Sequence, residues 1–259
     1  MLGYKKYLTA PGQKFPYQVY DRLTLKASAK RASAIVVSSK GEYEDAIEFG
    51  IHKKKLHLIP MGVDIPETAN RQEEENAPLK ILFVGRVARV RRVELILQAV
   101  KKLSLPFTVT IVGGEEKTSS LTKSGYLDEL KKCCADLGIA DRVVFTGPKL
   151  PKDLPAFYND ADVFVYPSLY ENFSQPILEA GSYGIPIIAT KVGIAPEIIE
   201  DGESGFLVSG DPEVLAQKLE RLGNSSERKE MGRKIQEKVR KKFAWSQIMD
   251  QYMELYNSF

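Results

Sequence analysis

The chain has 259 residues, enough for one large domain or two smaller ones, and its 43% hydrophobic and 27% charged residues are typical of a globular protein. A formal net charge of +3 is too small to indicate binding to nucleic acid. The only cysteines, Cys133 and Cys134, are adjacent, which excludes a disulfide framework and does not fit metal-ligand spacing. Because the N-terminus lacks a signal-like apolar region and no apolar run is long enough for a bilayer, we expect a cytoplasmic protein. Weak peripheral contact with a membrane, through the basic run Lys53–Lys55, stays open.

Short β-branched segments alternate with helical patterns along most of the chain. Strands are predicted over residues 34–38, 56–60, 80–85, 107–112, 143–146, 163–166, 186–189 and 205–208. Helices are predicted over residues 24–31, 42–49, 93–103, 126–137, 154–158, 176–182, 196–200, 212–222, 226–242 and 245–259. Such alternation predicts βαβ units, so the fold class is α/β, with a doubly wound, Rossmann-like parallel sheet.

Residues 66–78 interrupt this alternation, because they are polar and acidic and are bounded by prolines. We interpret them as a linker between two parts of the chain. Residues 1–65 hold about two predicted strands, too few for an independent α/β domain, whereas residues 79–242 hold six. The amphipathic pattern of residues 243–259 predicts a C-terminal helix that packs back on the N-terminal part.

Glu171 and Glu179 lie close together in the sequence, directly after the strand predicted at 163–166. Ser174 and the proline two residues further are typical of a helix N-cap and first turn, so a helix is predicted to begin near Gln175. Glu171 then lies at the carboxyl edge of the sheet, where open α/β sheets bind ligands. Helix N-termini attract anions, and carboxylates accept hydrogen bonds from hydroxyls. The pattern therefore favours a ligand with phosphates and hydroxyls, such as a nucleotide sugar.

An arginine-rich segment follows the strand predicted at 80–85, at the same edge of a parallel sheet. Its members are Arg86, Arg89, Arg91 and Arg92. Because a guanidinium binds phosphate through a planar fork, we predict that Arg86 and Arg91 clamp a diphosphate. Arg89 and Arg92 are expected to be exposed to solvent.

Glycines end two further strands. Backbone groups near Gly147 would face a flat ligand such as a base. Gly113 allows either a tight turn or the close approach of a ligand, and both interpretations stay open.

The sequence has no Ser/His/Asp set, reactive-cysteine pattern, zinc-site spacing or dinucleotide fingerprint, so we exclude a dehydrogenase.

Together these residues resemble the retaining glycosyltransferases of family 4 (group 1), which have the GT-B fold, and mostly their C-terminal donor-binding half. The resemblance extends from about residue 24 to the C-terminus. Each matching stretch is weak alone, and their order and spacing make the match specific. The stretches are residues 34–39, 59–64, 83–86, 112–113, 144–147, 161–168, 171–179, 184–189 and 196–202.

The resemblance implies a role for each matched position. Glu171 would contact the donor sugar at the reaction centre, and Glu179 would hold the ribose hydroxyls of the nucleotide. Arg86 and Arg91 would neutralise the leaving diphosphate, so that no metal and no other cofactor is needed. The other donor contacts would come from Gly85, Phe173, Ser174, Gln175, Gly147, Lys149 and Leu150. Transfer would retain the anomeric configuration of the sugar.

The chain also departs from the family pattern. Asn172 and Ser174 stand where glycines are usual, which leaves the identity of the sugar open. Residues 1–65 would correspond to a remnant of an N-terminal acceptor-side domain. Two hypotheses therefore stay open. The chain is a glycosyltransferase that acts on a glycan or glycolipid, as in polysaccharide biosynthesis, or it is a non-catalytic or split-enzyme subunit that only binds the nucleotide sugar or a partner acceptor domain.

Overall fold

A computed structural model of the protein describes residues 21–66, 77–115 and 125–259. Most of the predicted linker, residues 67–76, lies outside the described residues, as do residues 1–20 of the predicted N-terminal part. Within the three described ranges, no helix combines the length and the apolar character that crossing a bilayer requires.

The described elements alternate between strand and helix. The strands are β1 (Ile35–Val37), β2 (Leu56–Leu58), β3 (Leu79–Val84), β4 (Phe107–Val112), β5 (Val143–Gly147), β6 (Val163–Tyr166), β7 (Ile187–Thr190) and β8 (Gly205–Val208). The helices are α1 (Lys26–Arg31), α2 (Lys40–Glu48), α3 (Val93–Val100), α4 (Tyr126–Asp136), α5 (Leu154–Asp160), α6 (Gln175–Ser182), α7 (Ala195–Ile198), α8 (Pro212–Arg221), α9 (Ser225–Phe243) and α10 (Trp245–Asn257).

A six-stranded parallel sheet is the centre of the fold, with the strand order β5-β4-β3-β6-β7-β8. The predicted α/β class with a doubly wound parallel sheet is therefore confirmed. β3 pairs with β4 on one side and with β6 on the other, so the strand order reverses between β3 and β6. In open α/β sheets the crevice at such a reversal, outside the carboxyl ends of the strands, is where ligands bind.

The strands of this sheet are buried on both faces. All four residues of β6 and all four of β7 are buried, and successive side chains of a strand point to opposite faces. The continuous apolar runs of the sequence are the local cause, because a strand covered by helices on both sides has no polar face. At the carboxyl end of β6, the Tyr166 ring stacks on Phe83 and Phe164, with ring centroids 5.5 and 5.9 Å away. This packing fixes the position of Tyr166 beside the crevice.

The N-terminal segment forms a smaller βαβ unit. β1 and β2 pair in parallel, with Ile35 opposite Leu56, and α2 connects them. Ser39 caps α2, because its Oγ accepts a hydrogen bond from the Glu42 N–H at 3.2 Å. The same Oγ donates to Asn172 O at 2.6 Å, so this unit is attached to the loop that carries Glu171.

The C-terminal helix α10 packs against the segment that follows β2. Ile59, Ile248 and Leu255 form one buried apolar cluster. The ring of Trp245 lies directly over Gly62, where a Cβ atom would come within 2.5 Å of the ring. The chain therefore returns from the large sheet to its N-terminal unit. The division into domains at residues 66–78 stays a prediction.

Candidate active site

Two loops meet at the reversal of the strand order. Residues 85–92 follow β3, and residues 167–174 follow β6. The Leu169 N–H donates a hydrogen bond to Val90 O at 2.7 Å, which ties one loop to the other. The arginine-rich segment and Glu171, which are far apart in the sequence, are therefore brought together as predicted from the parallel sheet.

The structure separates the two arginines that were expected to be exposed. Arg89 is exposed and pairs with Glu129, so that prediction is confirmed. The prediction for Arg92 is wrong, because this residue is half-buried and its Nε donates to Pro167 O at 2.8 Å. Its guanidinium lies against Gly210, where a Cβ would come within 2.5 Å of it. Arg92 thus holds the two loops together.

Glu171 is held by two buried side chains. The Tyr166 hydroxyl donates a hydrogen bond to Glu171 Oε1 at 2.6 Å, and Arg91 forms an ion pair with the same oxygen. Arg91 Nη1 also donates to Ser168 Oγ at 3.2 Å and to Tyr170 O at 3.1 Å. The side chains of Arg91 and Glu171 are only 10% and 12% exposed. The carboxylate therefore has a fixed orientation in surroundings largely shielded from water.

Tyr166 is a site residue that the sequence reasoning missed. Burial raises the pKa of Tyr166, and the positive charges of Arg91 and Arg86 act against this rise. The hydroxyl therefore stays protonated at neutral pH and can donate to Glu171. Because the charge of the exposed Arg86 acts on Tyr166, Arg86 lies at the same end of the sheet as Tyr166. The available signal was the position of Tyr166 as the last residue of a strand at the binding edge.

Glu179 lies within α6 and accepts a hydrogen bond from the Tyr158 hydroxyl, at 2.6 Å from Oε2. Burial raises the pKa of Glu179, and this hydrogen bond acts in the opposite direction. The Tyr158 ring stacks on Tyr183, with the centroids 5.2 Å apart. Among the described residues, Tyr158 is the only hydrogen-bond partner of the Glu179 carboxylate, so Oε1 can accept from a further donor.

The backbone at the start of α6 is fixed through its carbonyl groups. Phe173 O accepts from the Ile194 N–H at 2.7 Å, and the buried Phe173 ring anchors the loop. Gly193 permits this close approach, because a Cβ there would come within 2.4 Å of Phe173 O. Within the described part of the chain, the N–H groups of Phe173, Ser174 and Gln175 donate no hydrogen bond to the backbone. Three consecutive donors thus lie at the positive end of the helix.

α6 begins at Gln175, as predicted, but Ser174 does not cap it with its side chain. Its backbone is left-handed, with φ 76° and ψ 69°, whereas a capping serine normally has an extended backbone. The side chain is therefore not directed at the free N–H groups of the first turn. Ser174 is only 6% exposed, and its Oγ has no hydrogen-bond partner among the described residues.

The ends of β3, β4 and β5 are joined through glycines. The Gly85 N–H donates to Val112 O at 2.9 Å, and the Gly113 N–H donates to Gly147 O at 3.0 Å. A Cβ at Gly113 would overlap Gly85 O, at a distance of 1.8 Å. Of the two interpretations of Gly113, the structure therefore favours tight backbone packing. Lys149 and Leu150 follow β5 and are exposed.

The described ranges contain no group of three or more His, Cys, Asp or Glu side chains that could hold a metal ion. The expectation that the site works without a metal stays a prediction.

A doubly wound parallel sheet, two half-buried carboxylates and a helix N-terminus with free amides define an α/β domain suited to a phosphate-bearing ligand with hydroxyl groups. The family model of glycosyl transferases group 1 matches residues 64–242, and the chain belongs to this family.

Individual relatives agree with this assignment. The D-inositol 3-phosphate glycosyltransferase of Corynebacterium urealyticum is 31% identical over 245 residues, which are 88% of this chain and 57% of that protein. An uncharacterized 41.2 kDa protein of the cps region of Klebsiella pneumoniae is 28% identical, over 89% of this chain and 63% of its own length. The chain thus spans less than two thirds of these curated relatives.

Solved structures share the fold. Sucrose-phosphate synthase of Thermosynechococcus elongatus superposes with a TM-score of 0.82 and 26% identity, covering 100% of this chain and 66% of that one. HepE of Anabaena, solved in complex with UDP and glucose, gives a TM-score of 0.83 and 21% identity, over 93% of this chain and 68% of that one. The fold is therefore that of the GT-B glycosyltransferases, as the sequence resemblance implied.

Proposed function

We propose that the chain carries the donor-binding half of a retaining glycosyltransferase of family 4, which transfers a sugar from a nucleotide-diphosphate sugar to a glycan, glycolipid or similar acceptor. The observation that carries this proposal is the position of Glu171. Its carboxylate is only 12% exposed and is oriented by Tyr166 and Arg91 at the reversal of the strand order, beside the free amides at the start of α6.

The nucleotide is held at two places. Oε1 of Glu179 accepts hydrogen bonds from the ribose hydroxyls, since Oε2 is already bonded to Tyr158. The exposed backbone around Lys149 and Leu150 faces the base, as the carboxyl end of β5 lies at the same edge of the sheet. The solved HepE complex with UDP makes UDP-sugars the first donors to test.

The diphosphate lies between the loop after β3 and the start of α6. Arg86 is exposed there and supplies a full positive charge, and the N–H groups of Ser174 and Gln175 supply oriented dipoles. Arg91 contributes less directly than the sequence predicted, because its guanidinium is engaged with Glu171. These groups neutralise charge on the leaving diphosphate without a metal ion.

Glu171 contacts the sugar as the bond to the diphosphate breaks. A fixed carboxylate stabilises the positive charge that develops on an oxocarbenium-like sugar. The acceptor hydroxyl attacks from the face of the departing diphosphate, whose oxygen takes the proton, so the anomeric configuration is retained.

A cytoplasmic location with weak membrane contact belongs to the same proposal, and the exposed Lys53 and Lys54 would supply that contact.

Nuclear magnetic resonance of the sugar product tests the reaction. The protein is incubated with an α-linked UDP-sugar panel and a simple alcohol acceptor, and the anomeric proton of the first-formed product is followed. The proposal predicts an α-linked product. A β-linked product contradicts retention, and donor binding without any transfer indicates a subunit that only binds the nucleotide sugar.

A further inference from the structure

Ser174 carries two unfavourable features at one position. Its φ of 76° lies in the left-handed region, where a Cβ atom is unfavourable and glycine is the usual residue. Its hydroxyl is buried and has no hydrogen-bond partner among the described residues. Buried polar groups are nearly always satisfied, and backbone strain concentrates where a ligand is bound. The two observations are independent, and both point to a ligand atom that completes the environment of Oγ.

The surroundings of Ser174 indicate the chemistry of that atom. Ser174 Oγ lies beside the Tyr166 hydroxyl, close enough to act against the rise in the pKa of Tyr166, but outside hydrogen-bonding geometry. The Tyr166 hydroxyl is itself bonded to the Glu171 carboxylate. The proposed function places the diphosphate at the backbone N–H groups of this loop. On the side of Ser174 that faces Tyr166 and the Glu171 carboxylate, a neutral hydroxyl is favoured over a phosphate, because it can donate to one group and accept from another.

The backbone around Ser174 is held in place by hydrogen bonds to its carbonyl groups. Ser174 O accepts from the Ile177 N–H at 3.1 Å within the first turn of α6. Phe173 O and Asn172 O are bonded to Ile194 N and Ser39 Oγ. Ser174 and the two residues before it are therefore held by hydrogen bonds, and rotation of the loop would break these bonds.

We propose that Ser174 determines the donor specificity of this chain, with its Oγ hydrogen-bonding a ring hydroxyl of the transferred sugar. This inference rests on the proposed function, and it adds a side-chain contact to the backbone contacts proposed for the same loop. Sugars that differ at the contacted hydroxyl are then distinguished at this position.

The test compares Ser174→Ala with Ser174→Gly by calorimetric titration with UDP, UDP-glucose, UDP-galactose and UDP-N-acetylglucosamine, and with the GDP- and ADP-glucose counterparts. Ser174→Ala removes the hydroxyl but keeps the strain, whereas Ser174→Gly removes both. Both variants should bind the preferred nucleotide sugar about tenfold more weakly and the corresponding free nucleotide within about twofold of the unchanged protein. Both variants should also raise the melting temperature, and Ser174→Gly should raise it by about 2–4 °C more than Ser174→Ala, because it removes the backbone strain as well.

Ser204→Ala is the matched control. Ser204 is also buried, but its Oγ accepts from the Glu200 N–H at 2.9 Å, so this variant should lose stability without a change in the ratio of sugar-nucleotide to nucleotide affinity. Equal weakening of nucleotide and nucleotide sugar by Ser174→Ala would assign the contact to the diphosphate and overturn the proposal. Unchanged affinity for both would overturn it as well. If the unchanged protein binds none of these ligands, the proposed function fails and this inference fails with it.

Discussion

Tyr166 and Glu171 are joined by a hydrogen bond of 2.6 Å that connects the last residue of β6 to the loop of the candidate active site. The bond orients the carboxylate proposed to face the donor sugar. Because Tyr166 is stacked between aromatic neighbours, its hydroxyl has little freedom to move. A site built on a rigid strand end is better defined than one carried by a loop alone.

Tyr166→Phe should lower the turnover of sugar transfer by about 10- to 100-fold, since a hydrogen bond to a charged group contributes about 1.5–3 kcal/mol. Affinity for the free nucleotide should change little, because Glu179 and α6 hold that part of the donor. Steady-state kinetics and nucleotide titration separate the two effects. A parallel loss of nucleotide affinity would argue against a role confined to Glu171.

Arg91→Met should destabilise the fold by about 3–5 kcal/mol, because it leaves the Glu171 carboxylate, which is only 12% exposed, without its ionic partner. Urea denaturation measures the loss. Arg89→Met is the matched control, since Arg89 is an exposed arginine two residues away, and its removal should change stability little. Similar small effects of both substitutions would show that the Arg91–Glu171 pair is not a structural requirement.

The raised pKa of Glu179 makes a prediction about stability and pH. A carboxylate whose pKa is higher in the folded state favours folding below its unfolded pKa of about 4.3, and this contribution is lost as pH rises through the folded pKa. The change in the free energy of unfolding caused by Glu179→Gln should therefore be more favourable at pH 7.5 than at pH 4. Urea denaturation at both pH values checks the sign, and greater destabilisation at pH 7.5 would contradict it.

Gly62→Ala should destabilise the attachment of α10 to the N-terminal unit. The added Cβ would come within 2.5 Å of the Trp245 ring, and overpacking of this kind costs about 1–3 kcal/mol. Gly41→Ala serves as the control, because Gly41 is exposed in α2 and its Cβ would meet only Ser39 Oγ, at 3.9 Å. The melting temperature should fall for Gly62→Ala and rise for Gly41→Ala, because alanine favours a helix more than glycine does. An unchanged melting temperature of Gly62→Ala would contradict the predicted overlap.

The sheet was predictable because its strands are buried on both faces, so that runs such as Ile81 to Val84 are continuously apolar. The ends of the helices were less predictable. α3 ends at Val100 rather than at the predicted residue 103, and the chain then turns toward Pro106. Periodicity does not report where a turn begins.

The candidate site was predictable in its location but not in its internal contacts. A parallel sheet places Arg86 and Glu171 at one edge whatever their side chains do. That Arg91 turns inward to Glu171 and Arg92 to Pro167 depends on distances between two loops, which no local pattern records. The left-handed backbone of Ser174 was likewise hidden, because a serine before a helix favours a cap.

The most direct test of the donor-binding claim is a calorimetric titration of the protein and of Glu179→Gln with UDP-, GDP- and ADP-sugars. One nucleotide should bind selectively, stabilising the fold by about 2.7 kcal/mol at 100 times its Kd. Glu179→Gln should weaken this binding by about 10- to 100-fold, whereas Glu203→Gln, at an exposed position, should not. Donor binding at Glu179 would be contradicted if no nucleotide sugar binds, or if Glu179→Gln and Glu203→Gln bind equally well.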